Sequence, residues 1–101
     1  MDVVMLYRLR GLYSGPTEYD WHHPAPGAIH DCLLFLRQQA AQDAYPDAKL
    51  ECERYGFRDI EIFECGKLHV EELNTDLYRG FSGFYEEALS QGSALVYYPK
   101  K

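Results

Sequence analysis

The sequence predicts an α+β fold, a two-layer sandwich with two or three helices on one face of a mainly antiparallel sheet of about four strands. Two observations support this class. Segments in which apolar and polar residues alternate with a period of two are interspersed with segments of helical period. The chain also has 101 residues, of which 47% are hydrophobic, enough for one core without disulfides or metals. We therefore expect a single globular domain over residues 1–101.

The first predicted strand covers residues 3–10, where β-forming and apolar residues occupy every second position, namely Val3, Met5, Tyr7 and Leu9. It is followed by a proline-rich segment (residues 11–27) that contains the only tryptophan and three of the five prolines. Within it, Thr17, Tyr19 and Trp21 alternate with polar residues. This segment predicts either a hairpin strand of about five residues or an irregular loop.

From residue 27 to residue 40 the apolar positions follow helical spacing and predict an amphipathic helix with Ile29, Leu33, Leu36 and Ala40 on one face. Pro46 interrupts this helix because proline lacks a backbone N–H and disfavours helical geometry at the preceding residue. Asp47 is a predicted cap for a second, short helix. Gly56 lies where a residue of positive φ would end that helix.

Residues 57–65 predict a strand with Ile60 and Ile62 on one face, and Gly66-Lys67 predicts a hairpin turn. Residues 68–73 fit either a strand or a helix. A later helix over residues 81–91 ends at Gly92, and residues 94–98 predict a final strand. The helical stripe of this last helix places Phe81, Phe84, Tyr85 and Leu89 in the core. The order of elements is compatible with ferredoxin-like topology.

Composition excludes several classes of function. The 16 acidic residues outnumber the 10 basic ones, giving a net charge of −6. Without a basic stripe, the chain is not expected to bind nucleic acid or anionic membranes. The sequence has no run of 18 apolar residues, and its N-terminus lacks the basic region and cleavage site of a secretion signal, so we expect a cytoplasmic protein. Its three cysteines should then remain reduced; they are Cys32, Cys52 and Cys65.

Candidate catalytic and metal-binding residues are few. His22, His23 and His30 are the best metal candidates, since imidazole is a good ligand for zinc, copper or nickel. However, adjacent histidines on a strand point in opposite directions. Glu61 is the best acid/base candidate because it lies on a predicted strand, but exposure on the sheet is the simpler interpretation. The chain has no nucleophile elbow and no phosphate-binding glycine motif. We therefore expect no catalytic residue, cofactor or metal.

Aromatic and acidic residues concentrate in the proline-rich segment, outside any amphipathic pattern. Aromatic side chains with a polar tip are enriched at binding surfaces, and loops on a rigid scaffold commonly carry function. The sequence therefore predicts a partner-binding surface, with Trp21 and Tyr19 as anchors and Asp20 and Glu18 as steering charges. The full set of candidates is Tyr13, Glu18, Tyr19, Asp20, Trp21, His22 and His23.

The leading hypothesis is a non-catalytic protein–protein interaction domain that covers the surface of a partner, which could be basic. Small acidic inhibitors such as immunity proteins and antitoxins have this size and charge, an analogy of physical type and not a sequence match. Two alternatives stay open. One is a small enzyme or a ligand- or metal-binding domain with a pocket under the proline-rich segment. The other is a structural homodimer, in which the partner is a second copy of the chain.

Overall fold

The computed structural model describes residues 2–67 and 82–98. Within these ranges the elements, in chain order, are β1 (Val3–Tyr13), β2 (Ala28–Gln38), α1 (Tyr45–Arg54), β3 (Phe57–Lys67), α2 (Ser82–Gln91) and β4 (Ser93–Tyr97). The four strands form one sheet in the order β3-β1-β2-β4, and every neighbouring pair is antiparallel. The predicted α+β class with a four-stranded antiparallel sheet is therefore confirmed. A ferredoxin-like order is not found, because a loop and not a helix connects β1 to β2.

The two helices pack against opposite faces of the sheet. Alternate residues of a strand point to opposite faces, and the buried residues of β1 divide accordingly. Tyr7 and Leu9 share a cluster with Cys52 of α1, whereas Val4 shares a second cluster with Ala88 of α2. The predicted two-layer sandwich with all helices on one face is therefore wrong. Helices cover both faces of the central strands.

The predicted helix over residues 27–40 is also wrong, because residues 28–38 form strand β2. Leu33 and Phe35 pack in the α2 cluster, and Cys32 and Leu34 pack in the α1 cluster. A strand covered on both faces has a continuous apolar run in place of an alternating one, and such a run can also be fitted to helical spacing. Ile29, predicted to point into the core, is 51% exposed.

Helix α1 confirms the predicted short helix, although it begins at Tyr45 with Pro46 in its first turn and Ala44 as the N-cap residue. Ala48 and Cys52 are its buried residues. Gly56 follows its end with φ of 108°, the left-handed geometry that glycine adopts without a steric cost. The sequence pattern therefore located the end of this helix correctly.

Strand β3 confirms the prediction for residues 57–65 and continues through Gly66 and Lys67, so the hairpin turn predicted at those two residues is wrong. The alternatives for residues 68–73 lie outside the described residues, as does Phe81. Helix α2 and strand β4 confirm the last two predicted elements, with Gly92 between them. Leu89 was predicted to be buried but is 36% exposed, while Ala88 occupies the core position. Neither described helix has the length and apolar composition that a bilayer-spanning segment needs.

Candidate protein-binding groove

The β1–β2 loop (residues 14–27) is irregular and is held on the C-terminal end of α1. Carbonyl groups at a helix end lack partners inside the helix, and the loop supplies them. The amide of Glu18 donates to the carbonyl of Arg54 at 2.8 Å, and the amides of Ser14 and Gly15 donate to the carbonyl of Gly56 at 3.0 and 3.1 Å. These bonds fix the path of the loop.

Thr17 is the centre of the loop's own hydrogen bonding. Its hydroxyl donates toward the carbonyl of Arg54 at 3.2 Å and accepts from the amide of Tyr19 at 3.1 Å. The indole N–H of Trp21 lies 3.2 Å from the same hydroxyl and 3.1 Å from the carbonyl oxygen of Tyr55. Thr17 thus organises a compact loop, although its alternation with Tyr19 and Trp21 in the sequence is also compatible with a strand.

The rings of the loop pack over the α1 face of the sheet. Trp21 contacts Tyr55 and Tyr97 edge to face, with ring centroids 5.2 and 6.0 Å apart. It also meets Tyr13 edge to face at 6.1 Å, and His23 stacks on Tyr13 at 5.4 Å. Such aromatic pairs stabilise a fold by about 0.5–1.5 kcal/mol each beyond the area that they bury. The loop is therefore a packed part of the domain.

A polar network lies beneath the loop. The carboxylate oxygen Oε2 of Glu51 accepts from the hydroxyl of Tyr19 at 2.7 Å and from the hydroxyl of Ser93, which also pairs with the hydroxyl of Tyr55 at 2.9 Å. Burial, and next the hydrogen bond to Glu51, raise the pKa of Tyr19 above its ordinary value. Burial likewise raises the pKa of Tyr55 to about 12. Both phenols are therefore neutral donors at neutral pH, which suits a structural network.

A cavity of about 450 Å³ opens between the loop, α2 and β4. We call it the edge groove; its described lining residues are Asp20, Trp21 and His22 of the loop, Phe84, Glu87 and Gln91 of α2, and Leu95, Val96 and Tyr97 of β4. Its aromatic walls come from opposite faces of the sheet. Trp21 packs with Tyr97 on the α1 face, whereas Phe84 stacks on Phe35 in the α2 cluster. The groove therefore straddles the edge of the sheet at β4.

Strand β4 has a sheet neighbour on one side only within residues 2–67 and 82–98. At the two ends of its ladder with β2, the amide of Arg37 donates to the carbonyl of Gly92 at 2.9 Å, and the amide of Tyr98 donates to the carbonyl of Asp31 at 2.8 Å. Hydrogen-bonded residues alternate along an antiparallel strand. Between these two ends, Ala94 and Val96 are therefore the residues whose backbone N–H and C=O groups point toward β2.

The intervening residues of β4 direct their backbone N–H and C=O groups away from β2. Two of them, Leu95 and Tyr97, line the edge groove. The groove thus contains a short row of backbone donors and acceptors between two aromatic walls. An unpaired row of this kind is a template for an additional strand.

The charged side chains among the described lining residues are both acidic. Asp20 approaches the groove from the loop and Glu87 from α2, and neither Lys nor Arg belongs to that lining. Arg54, the cation of α1 that contacts the loop, is paired with Glu18 at 3.5 Å and with Glu51 at 3.4 Å. Carboxylates at the edge of a cavity that have no described cation beside them attract a positively charged group.

The structure brings three of the sequence-predicted binding residues into the edge groove, namely Asp20, Trp21 and His22. The others lie elsewhere. Tyr13 is buried and is 2% exposed, and His23 covers its ring. Tyr19 reaches inward to Glu51, and Glu18 lies outside the groove beside Arg54.

The contributions of α2 and β4 to this site were not predicted from the sequence. Glu87 lies in the helix predicted over residues 81–91 and Tyr97 in the strand predicted over residues 94–98, and neither was a binding candidate. Their proximity to Trp21 depends on the pairing of β4 with β2 and on α2 packing on the second face. One available signal was Pro99, which is compatible with an edge strand but not with a central one.

The three histidines named as metal candidates do not converge. His22 lines the groove, His23 stacks on Tyr13, and His30 lies on β2, where its Nδ1 contacts the carbonyl of Tyr98 at 3.1 Å. In the part of the chain that the structure describes, no three side chains of the metal-binding types come together. Glu61 is exposed on β3 opposite Arg10.

Comparisons with known proteins give the chain no relative. No family model, no curated protein and no solved structure matches it.

Proposed function

We propose that this chain is a non-catalytic protein-binding domain that covers part of a basic protein partner through the edge groove. The observation that carries the proposal is the composition of the groove: aromatic walls from Trp21, Phe84 and Tyr97, with Asp20 and Glu87 as its charged side chains among the described lining. Tryptophan and tyrosine supply large contact areas at low entropic cost, and they dominate binding energy at protein interfaces.

Charge supports a basic partner. The chain has a net charge of −6, so a cationic protein approaches in an attractive field before it makes contact. Complementary charges at the rim of an interface mainly raise the association rate. A small acidic inhibitor that neutralises a basic toxin or nuclease is one role that this chemistry would serve.

The groove is better suited to binding than to reaction. Among the described lining residues, the polar groups are two carboxylates on separate elements, one imidazole, one side-chain amide, one indole N–H, one phenol and strand backbone. The polar network of Glu51, Tyr19, Tyr55 and Ser93 is engaged internally. The hydroxyl of Ser93 belongs to a residue that is 5% exposed, so substrate would not reach it without opening the loop.

The proposal is tested with a photo-crosslinking amino acid placed at His22, in cells that express the protein naturally. A matched probe at Lys49 serves as the control, because Lys49 is exposed on α1 beside a different cavity, formed with Ile60 and Ile62. We expect one predominant cross-linked protein of basic charge at His22 and none at Lys49. Equal labelling at both positions would contradict the assignment of the groove.

The identified partner is then purified and its binding kinetics are measured against the double variant D20N/E87Q. We expect the association rate to fall about tenfold at low salt and its salt dependence to weaken. The exposed-charge variant K49Q should behave like the wild type. Cross-linking of His22 only to a second copy of the chain would replace the proposal with the homodimer hypothesis.

A further inference from the structure

Within the described residues, β4 pairs with β2 alone, and the backbone N–H and C=O groups of Leu95 and Tyr97 point away from β2. Both residues line a cavity that has a wall on each face of the sheet, and this geometry specifies how a partner would bind. Resting on the proposed function, we infer that the edge groove accepts an extended, basic segment of the partner as a fifth strand paired to β4. Main-chain hydrogen bonds would provide affinity, and the walls would select side chains.

The walls determine the side chains that this segment needs. Successive residues of a strand point to opposite faces. Residues directed to the α1 face meet Trp21 and Asp20, and residues directed to the α2 face meet Phe84 and Glu87. Each wall thus combines one aromatic ring with one carboxylate. The matching segment has a Lys or Arg directed to each face, with apolar neighbours.

The length of the site limits the length of the segment. Strand β4 contains five residues, Ser93–Tyr97, and an antiparallel strand rises about 3.4 Å per residue. Strand β4 can therefore pair with about five residues of extended chain, about three of which would lie in the groove beside Leu95, Val96 and Tyr97. A helix has a diameter of about 10 Å and its backbone groups are already paired, so it would not use the outward groups of Leu95 and Tyr97.

The first experiment selects binders from a random octapeptide library displayed on phage, using the intact protein as target. We expect the selected peptides to carry Lys or Arg within a five-residue core of β-forming residues and to lack proline there. Selection on the D20N/E87Q variant should lose the basic preference. Recovery of no binders, or of helical or proline-rich ones, would contradict strand addition.

The best selected peptide is then synthesised in two N-methylated forms, each blocking alternate amides. Methylation removes the hydrogen-bond donors on one edge of the peptide strand and leaves the other edge intact. We expect one form to lose at least a hundredfold in affinity and the other to lose less than threefold. Equal losses, or none, would overturn the inference.

Amide hydrogen exchange of the protein provides a readout in β4 itself. Peptide binding should slow exchange at Leu95 and Tyr97, whereas Ala94 and Val96 are already paired to β2 and should change little. The variants Y97P and Y97A both lose the ring, but only Y97P also loses the outward N–H. We expect Y97P to bind at least tenfold more weakly than Y97A.

The two proposals fail in different ways. If the partner cross-links at His22 and D20N/E87Q slows association, but Leu95 and Tyr97 exchange at unchanged rates in the complex, then the binding function stands and strand addition is wrong. If His22 gives no cross-link and no peptide is selected, both are wrong. Should Y97P fail to fold, the exchange data and the methylated peptides decide the question.

Discussion

Trp21 donates its indole N–H to the carbonyl oxygen of Tyr55 at 3.1 Å, and the two rings meet edge to face with centroids 5.2 Å apart. The residue predicted from sequence as a binding anchor therefore also fastens the β1–β2 loop to the end of α1. Trp21 lines the groove and also packs against the core cluster of the domain. Its contributions to folding and to binding must be measured separately.

Replacing Trp21 by alanine should lower the free energy of unfolding by about 3 kcal/mol, since a large, largely packed ring is removed. The variant W21F keeps an aromatic ring but loses the N–H donor, and it should lose about 1 kcal/mol. Urea unfolding is followed by far-ultraviolet circular dichroism, because Trp21 is the only tryptophan. A loss below about 0.5 kcal/mol in W21A would show that the ring does not support the fold.

The anchor hypothesis is tested with the folded W21F protein and the partner. If Trp21 contributes directly to the groove, W21F should dissociate faster, with a nearly unchanged association rate. Unchanged affinity in W21F together with lost stability would assign Trp21 to the fold alone. The variant Q91A, which shortens another side chain of the groove, serves as the comparison.

The thiols should differ sharply in reactivity. Burial raises the pKa of Cys32 to about 12, and burial also raises the pKa values of Cys52 and of the half-buried Cys65. The thiolate is the reactive form, so all three should react more slowly than a free thiol at pH 8. We expect Ellman's reagent to titrate Cys65 alone in the native protein and three thiols in urea.

Rapid reaction of two or three thiols without urea would contradict the packing of Cys32 and Cys52. The variant C65S is the control, and it should abolish the native reaction. Intact-mass analysis of fresh protein without reductant tests the expectation of no intramolecular disulfide. A deficit of two mass units would contradict it.

The sequence predicted α1, β3, α2 and β4 because each has a local marker. Gly56 and Gly92 end helices with positive φ, and the apolar residues of α2 follow helical spacing. Strand β2 carries no such marker. Its apolar run is explained only by the helix on each face of the sheet, and this arrangement is tertiary information that a period-based analysis does not contain.

The candidate site was predictable only in part for the same reason. Trp21, Asp20 and His22 were recognised because aromatic and acidic residues concentrate in the proline-rich segment, outside any amphipathic pattern. Glu87 and Tyr97 belong to regular elements, and nothing in their local sequence distinguishes them from other exposed or packed positions. They join the site through strand order, which sets β4 at an edge beside the loop.

Stability should fall at alkaline pH. Burial raises the pKa of Tyr55 to about 12, and it also raises those of Tyr19 and Tyr7 above their ordinary value. Between pH 10 and 12 the unfolded chain therefore binds fewer protons than the folded one, so the free energy of unfolding decreases as pH rises. This stabilisation is fully present below pH 10.

In the variant Y55F the free energy of unfolding should decrease less steeply between pH 10 and 12, because one of the tyrosines whose pKa is raised in the folded protein is then absent. The exposed-residue variant Y98F is the matched control and should follow the wild type. Unfolding free energies are measured in urea at pH 9, 10 and 11. Identical slopes for Y55F and the wild type would show that the Tyr55 hydroxyl is not buried in the folded protein.

Gly56 should be among the least replaceable residues of the chain. Its φ is 108°, and a Cβ added there would lie 2.6 Å from Cε1 of Tyr13. Alanine at this position must therefore adopt a strained backbone geometry and displace a buried ring that packs against Phe57 and Trp21. We expect G56A to lose at least about 2 kcal/mol of unfolding free energy.

Gly83 provides the matched control, since it lies in α2 and a Cβ there would meet nothing within 4 Å. The variant G83A should be neutral or more stable by up to about 1 kcal/mol, because alanine favours helical backbone. Both variants are compared with the wild type by urea unfolding at pH 7. Because Tyr13 also supports His23 and Trp21, G56A should expose the loop to proteolysis at native conditions, whereas G83A should not. A G56A protein as stable as the wild type would contradict the packing of Tyr13 against the end of α1.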